Sequence, residues 1–339
     1  MRQTLKADIL FLIMVFVHIG VVLCLSILHV VGIKSDLTTN QSLLLSQLLI
    51  LLPTFIYLLL TKTNPIKLIR WKRIDLPTIF MVILFTFLTM PLITFINALS
   101  MLFSQNNVMA LTEKMTTNPF GLNLLLMAII PAISEEFVFR GVLFHTYRKD
   151  SVLYGVIISG IVFGLMHLNF NQFSYAFVLG IIFALIIEAT GSIFATIIAH
   201  FVINGNSVVW MTISDKMLNV MGQSSQEIQS QMTPEYLMMI AGVYGIIAIG
   251  TTALAIGVYI WIAKHCNREN HLRAVFMIQK GSDRFSIKRV ISIPLIISVV
   301  VCLSYMIYTE VAVSITEKQN NTQYNIEDPT IDNTINIEL

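Results

Sequence analysis

Ser134-Glu135-Glu136-Phe137-Val138-Phe139-Arg140 sets two adjacent carboxylates and a guanidinium inside the otherwise apolar run 121–147. About 20 apolar residues suffice for a helix to cross a bilayer, so this run reads as a transmembrane span. Ionisable groups inside a span are costly and mark function. On a helix Glu136 and Arg140 are four apart, share a face and can pair. Glu135 projects about 100° away, toward a different neighbour. One glutamate is therefore neutralised structurally while the other stays available for chemistry. A buried ion pair that only fixes helix register is the plainer reading, and such pairs rarely stabilise by themselves.

The rest of the chain supports the membrane assignment. Of its 339 residues 56% are hydrophobic and only 12% charged, against roughly 25% charged in soluble domains. A water-soluble globular enzyme and a disordered regulator are excluded. A net charge of +2 gives no basic surface for nucleic acid. The three cysteines, Cys24, Cys266 and Cys302, are too scattered for a disulfide framework or a cysteine zinc site. The expected fold class is all-α, a polytopic transmembrane helix bundle of eight to nine spans.

Nine apolar segments are expected to span, at about 9–32, 42–60, 77–102, 121–147, 152–169, 172–189, 191–213, 236–263 and 290–313. The first has no small-residue cleavage site and reads as a retained anchor. Basic residues cluster at 2–6, 62–73, 148–149 and 264–289. These are the segments that nine spans place on one side, so the positive-inside rule predicts a cytoplasmic N-terminus. Lys34, Lys114, Lys216 and Lys318 fall on the other side, and Arg140 alone lies within a span. The organisation expected is 1–119, three spans; 120–213, a four-span catalytic core; 214–313, two spans; and 314–339, a polar acidic tail whose composition favours disorder. The loop Lys264–Arg289 is basic with interleaved apolar residues and reads as a positive-inside anchor.

Two further spans carry polar residues at helical spacing. Phe163-Gly164-Leu165-Met166-His167 ends the fifth, and His200-Phe201-Val202-Ile203-Asn204 lies in the seventh. Counting ~1.5 Å per residue from the span ends puts Glu135, His167 and His200 at roughly 14–22 Å from one face, so they can meet at one level. His18 and His29 in the first span fit an interhelical hydrogen-bonding role. Glu188 reads as interfacial. His145 and Asp150 sit at a span end, with His145 able to line an entrance. Turn chemistry accounts for Asn169 and Asn171.

At these residues the sequence resembles the CPBP family of intramembrane proteases, which includes type II CAAX prenyl endopeptidases and bacteriocin-processing or self-immunity proteins. The family patterns EExxxR, FxxxH and HxxxN/B read here as 135–140, 163–167 and 200–204. Three such patterns in order, each on a span, are far more specific than any one. The resemblance covers roughly residues 120–210. It implies peptide-bond hydrolysis in or at the membrane, with Glu135 activating water, His167 positioning it, and His200 and Asn204 stabilising the oxyanion. Glu136, Arg140 and Phe163 would support the site. A metal-free glutamate mechanism without cofactor is favoured, because no HExxH is present. A single Zn2+ on Glu135, His167 and His200 is the alternative. The expected partners are membrane lipid and a membrane-associated peptide or protein, in a bacterial plasma membrane. A non-proteolytic membrane scaffold or immunity protein on the same fold is the runner-up. A transporter ranks last, since no repeat is visible.

Overall fold

The computed structural model describes residues 3–33, 37–104, 106, 114–149, 151–224, 227, 231–276 and 292–327. Among them the ordered elements are helical: α1 (Gln3–Val30), α2 (Thr39–Leu60), α3 (Pro65–Leu68), α4 (Leu76–Met101), α5 (Phe120–Tyr147), α6 (Val152–Leu165), α7 (Phe170–Thr190), α8 (Ile193–Met221), α9 (Pro234–His265), α10 (Glu269–Phe276) and α11 (Ile293–Glu327). The chain is an all-α, multi-pass integral membrane protein. Eight helices, all but α3, α6 and α10, are long and apolar enough to cross a bilayer.

The fifth expected span is shorter than expected. The α6 helix has 14 residues, about 21 Å of helix, too short to cross the hydrocarbon layer untilted. It ends before a turn at Leu168, which holds a positive φ of 52°. The Asn169 side chain then caps α7 by accepting from the Gln172 N–H at 2.9 Å, the turn role expected of it. Asn171 does more than turn chemistry: it is fully buried and donates to Asn97 Oδ1 at 3.0 Å. At the other end of the chain α11 runs on to Glu327, into the segment set apart as a tail, and residues 328–339 lie outside the described residues. So do Asp150 and the part of the basic loop from 277 to 291.

Small residues set the closest approach in the bundle. A Cβ on Gly180 of α7 would stand 2.6 Å from the Gly160 Cα of α6. Gly160 and Gly164 form a small-xxx-small face, which lets helix backbones touch where lipid supplies no hydrophobic drive for association. This contact presses α6 onto α7 and fixes where Phe163 and His167 project.

Polar ties close one end of the bundle. Glu188 near the end of α7 is fully buried and receives Arg148 Nε at 2.6 Å and Nη2 at 2.9 Å. Arg268, after α9, donates Nε to the Glu188 carbonyl at 2.6 Å. Glu188 is thus the centre of a clamp at that end of the bundle. Arg70 lies beside the same group, and burial, then the charge of Arg148, lowers its pKa to about 10. In α1, buried Asp8 accepts from Tyr147 Oη at 2.9 Å and Ser292 Oγ at 2.7 Å, joining α1, α5 and the start of α11.

Candidate active site

The α5 helix is not regular. Leu124–Ile129 and Glu136–Phe144 are wound as π-helix, a geometry that is rare and favoured at functional sites. Pro131 lies just after the first π stretch, and it has no N–H to offer the carbonyl four residues earlier, Met127. That carbonyl is taken instead by Asn204 Nδ2 from α8, at 3.0 Å. In the second stretch the Arg140 carbonyl accepts from His145 Nδ1 at 2.5 Å. His145 is buried in that role and does not line the cavity described below.

Glu136 and Arg140 pair as their spacing predicted, at 3.0 Å and both fully buried. The guanidinium lies 4.0 Å from the Phe163 ring centroid and 4.9 Å from that of Phe183. These aromatic faces meet a cation whose Nε and Nη2 have no hydrogen-bond partner among the described residues. Phe163 is the hub of the cluster, packing edge-on against Phe139, His167 and His200. Its carbonyl accepts from His167 Nδ1 at 2.9 Å. A carbonyl can only accept, so His167 carries a proton on Nδ1, and in the neutral ring Nε2 is then an acceptor.

His200 stacks on Phe183 with ring centroids 5.1 Å apart. Its Nδ1 lies 2.9 Å from Glu136 Oε1, and its Nε2 lies 3.9 Å from Glu135 Oε2. Glu135 is the carboxylate left free by the ion pair. It lines a cavity of about 560 Å³ together with His167, His200 and Asn204. Glu135, His167, His200 and Asn204 are thereby brought to one chamber by α5, α6 and α8, while Glu136 and Arg140 lie behind its wall. Apolar side chains such as Leu43, Ile50, Leu126 and Met166 complete much of the lining.

Residues 117–205 match the type II CAAX prenyl endopeptidase Rce1-like family model. The matched segment is similar to that family over about a quarter of the chain. Glu135, His167, His200, Asn204 and the Glu136–Arg140 pair all fall within it. "Putative membrane peptidase YdiL" of Bacillus subtilis (strain 168) is 28% identical over 109 residues, 32% of this chain. The chain spans 44% of the length of that curated relative. No solved structure matches the chain significantly. The matched segment leaves the spanning helices α1, α2, α4, α9 and α11 unaccounted for.

Three of those outer helices, α1, α2 and α4, nevertheless reach the cavity. His18 of α1 lines it, with Nδ1 buried and lacking a hydrogen-bond partner among the described residues, so the expected interhelical hydrogen bond is not made there. Gln47 of α2 lines it and donates Nε2 to Glu135 Oε1 at 3.1 Å. The sequence signal for Gln47 was a lone amide in the apolar run 43–52, a residue type that needs a partner inside a membrane. Among the described residues no three His, Cys, Asp or Glu side chains are grouped as a metal ion would need.

Proposed function

We propose that the protein is an intramembrane endopeptidase that cleaves a membrane-associated peptide or protein, with Glu135 as general base. The observation that carries the reading is the unequal environment of the adjacent glutamates. Glu136 is committed to Arg140 and His200, whereas Glu135 stands in the cavity facing His200 Nε2.

In the proposed reaction Glu135 takes a proton from water, and the hydroxide so formed attacks the scissile carbonyl carbon. His167 Nε2, an acceptor, holds that water. The carbonyl π electrons move to oxygen, where the oxyanion meets His200 Nε2–H and Asn204 Nδ2. His200 donates Nδ1–H to Glu136, so donation from Nε2 requires its doubly protonated form. Asn204 spends one amide hydrogen on Met127 and has a second for the oxyanion. As the tetrahedral intermediate collapses, the C–N bond breaks and Glu135 returns its proton to the departing amine. Preorganised donors at the developing charge are what such a barrier needs.

The reaction as proposed needs no metal, and among the described residues no three candidate ligands are grouped for one. Purified protein is expected to cleave without stoichiometric zinc. Stoichiometric zinc with chelator-reversible activity would overturn the metal-free mechanism. The proposed setting is a bacterial plasma membrane with the N-terminus cytoplasmic, lipid around the bundle and no nucleic-acid partner. Comparative peptidomics of cells carrying the native chain or Glu135→Gln tests the activity. An uncut membrane-associated species should accumulate with the variant. Identical peptidomes would sink the protease reading in favour of a non-proteolytic scaffold.

A further inference from the structure

We infer that Gln47, on α2 and outside the matched segment, is a positioning residue that orients the Glu135 carboxylate, and that Ser134 sets the direction of its amide. The inference rests on the Glu135 reading above and adds an outer helix to the active site.

Three contacts define the arrangement. Gln47 Nε2 lies 3.1 Å from Glu135 Oε1. Gln47 Oε1 faces Ser134 Oγ in a short hydrogen bond. Ser134 Oγ also lies 2.8 Å from the Ile130 carbonyl. Only one assignment of the amide satisfies them. A carboxylate accepts and cannot donate, so the amide must turn its N–H toward Glu135. Its oxygen then faces Ser134, which has one proton to give and shares it with Ile130 O. Flipping the amide would set two acceptor oxygens against each other at the carboxylate.

The consequence is steric as well as electrostatic. Glu135 has 15% of its side-chain surface exposed, and the Gln47 amide is a directional contact on its carboxylate that packing by itself does not supply. With Oε1 tied to α2, Oε2 is the oxygen turned toward His200 Nε2, at 3.9 Å. Gln47 thereby assigns the two oxygens to different tasks: one is anchored and the other is presented to water. Ser134 and Glu135 are neighbours on α5, so the amide is gripped by consecutive residues of one helix and reports the α2–α5 spacing directly to the base. Loss of α2 contact would release the carboxylate without disturbing the Glu136–Arg140 pair behind it.

The test reads Glu135 without needing a substrate. The full-length protein in detergent is treated with N,N′-dicyclohexylcarbodiimide, an apolar reagent that adds to intramembrane carboxyl groups. Mass spectrometry then gives the rate of adduct formation at Glu135, with Glu135→Gln as the blank. Gln47→Leu should raise that rate roughly tenfold, the scale of one hydrogen bond to a charged group. Ser134→Ala should raise it less and Ser134→Thr should restore the native rate, a rescue that a space-filling role would not produce. Equal labelling in native protein and Gln47→Leu overturns the inference. If Gln47→Leu fails to fold, the comparison of Ser134→Ala with Ser134→Thr decides it, and equal rates there overturn it. Should Glu135→Gln still cleave in the peptidomic experiment, the base assignment fails while the labelling still reports the clamp, so the two failures are distinguishable.

Discussion

His200 Nδ1 lies 2.9 Å from Glu136 Oε1, the same oxygen that accepts from Arg140 at 3.0 Å. One carboxylate oxygen thus serves two donors from different helices. The pair that looks like a helix staple also orients a histidine of the cavity, which makes Glu136 a positioning residue as well as a structural one.

Arg140→Met removes the counter-charge from a fully buried Glu136. Breaking a buried pair on one side costs about 3–5 kcal/mol. Thermal unfolding in detergent should show a loss of that order, and Glu136→Gln should show a comparable one. The double variant should recover part of the stability, because neither charge is then orphaned. Equal melting of native and Arg140→Met would refute the pairing as a stabilising element.

Asn204→Ala should act on rate far more than on stability. Removing one oxyanion donor costs roughly 10²–10³ in kcat, whereas the lost bond to the Met127 carbonyl costs about 1 kcal/mol. Single-turnover cleavage of the species that accumulates with Glu135→Gln provides the first number, and detergent melting the second. A variant with near-native cleavage would remove Asn204 from the mechanism.

Gly180→Ala places a Cβ 2.6 Å from the Gly160 Cα, a backbone atom that cannot yield by rotation. Overpacking of this kind costs about 1–3 kcal/mol. The displacement should also separate α6 from α7 and lower cleavage, since Phe163 rides on α6 and His167 on the turn that directly follows it. Gly250→Ala is the control, with nothing within 4 Å of its added Cβ. It should be neutral or slightly stabilising, as alanine favours helix.

The Asp75–His265 contact supplies an acid dependence at the bundle surface. Asp75 Oδ2 lies 2.7 Å from His265 Nε2. Hydrogen bonds, first from the Thr78 side chain and then from His265, hold the Asp75 carboxyl at about 2, below its ordinary 3.8. The depressed value means that the contact stabilises above 3.8 and loses that contribution as pH falls toward 2. Melting curves between about pH 2 and pH 5 should therefore flatten in Asp75→Asn relative to the native chain. Identical slopes would show that the contact carries no pH dependence.

The composition and the apolar runs determined the fold class by themselves, because a helix in hydrocarbon must satisfy its own backbone and needs a length that can be counted. The Glu136–Arg140 pair was equally legible, since helical periodicity alone puts four-apart side chains on one face. Helix period also set Glu135 apart from Glu136 and put His167 and His200 at one depth. It could not reveal that α6 stops at Leu165, because the apolar run continues to Leu168 and only the turn after it ends the helix. Nor could it assign Glu188, whose buried clamp depends on arginines 40 and 80 residues away in the chain. Gln47 is the sharpest case: it lies 88 residues from Glu135 in sequence. Periodicity orders neighbours along one helix, whereas which helix supplies a partner is decided by packing between helices. Here α2 packs beside α5, and that contact alone turns a lone amide into the group that holds Glu135.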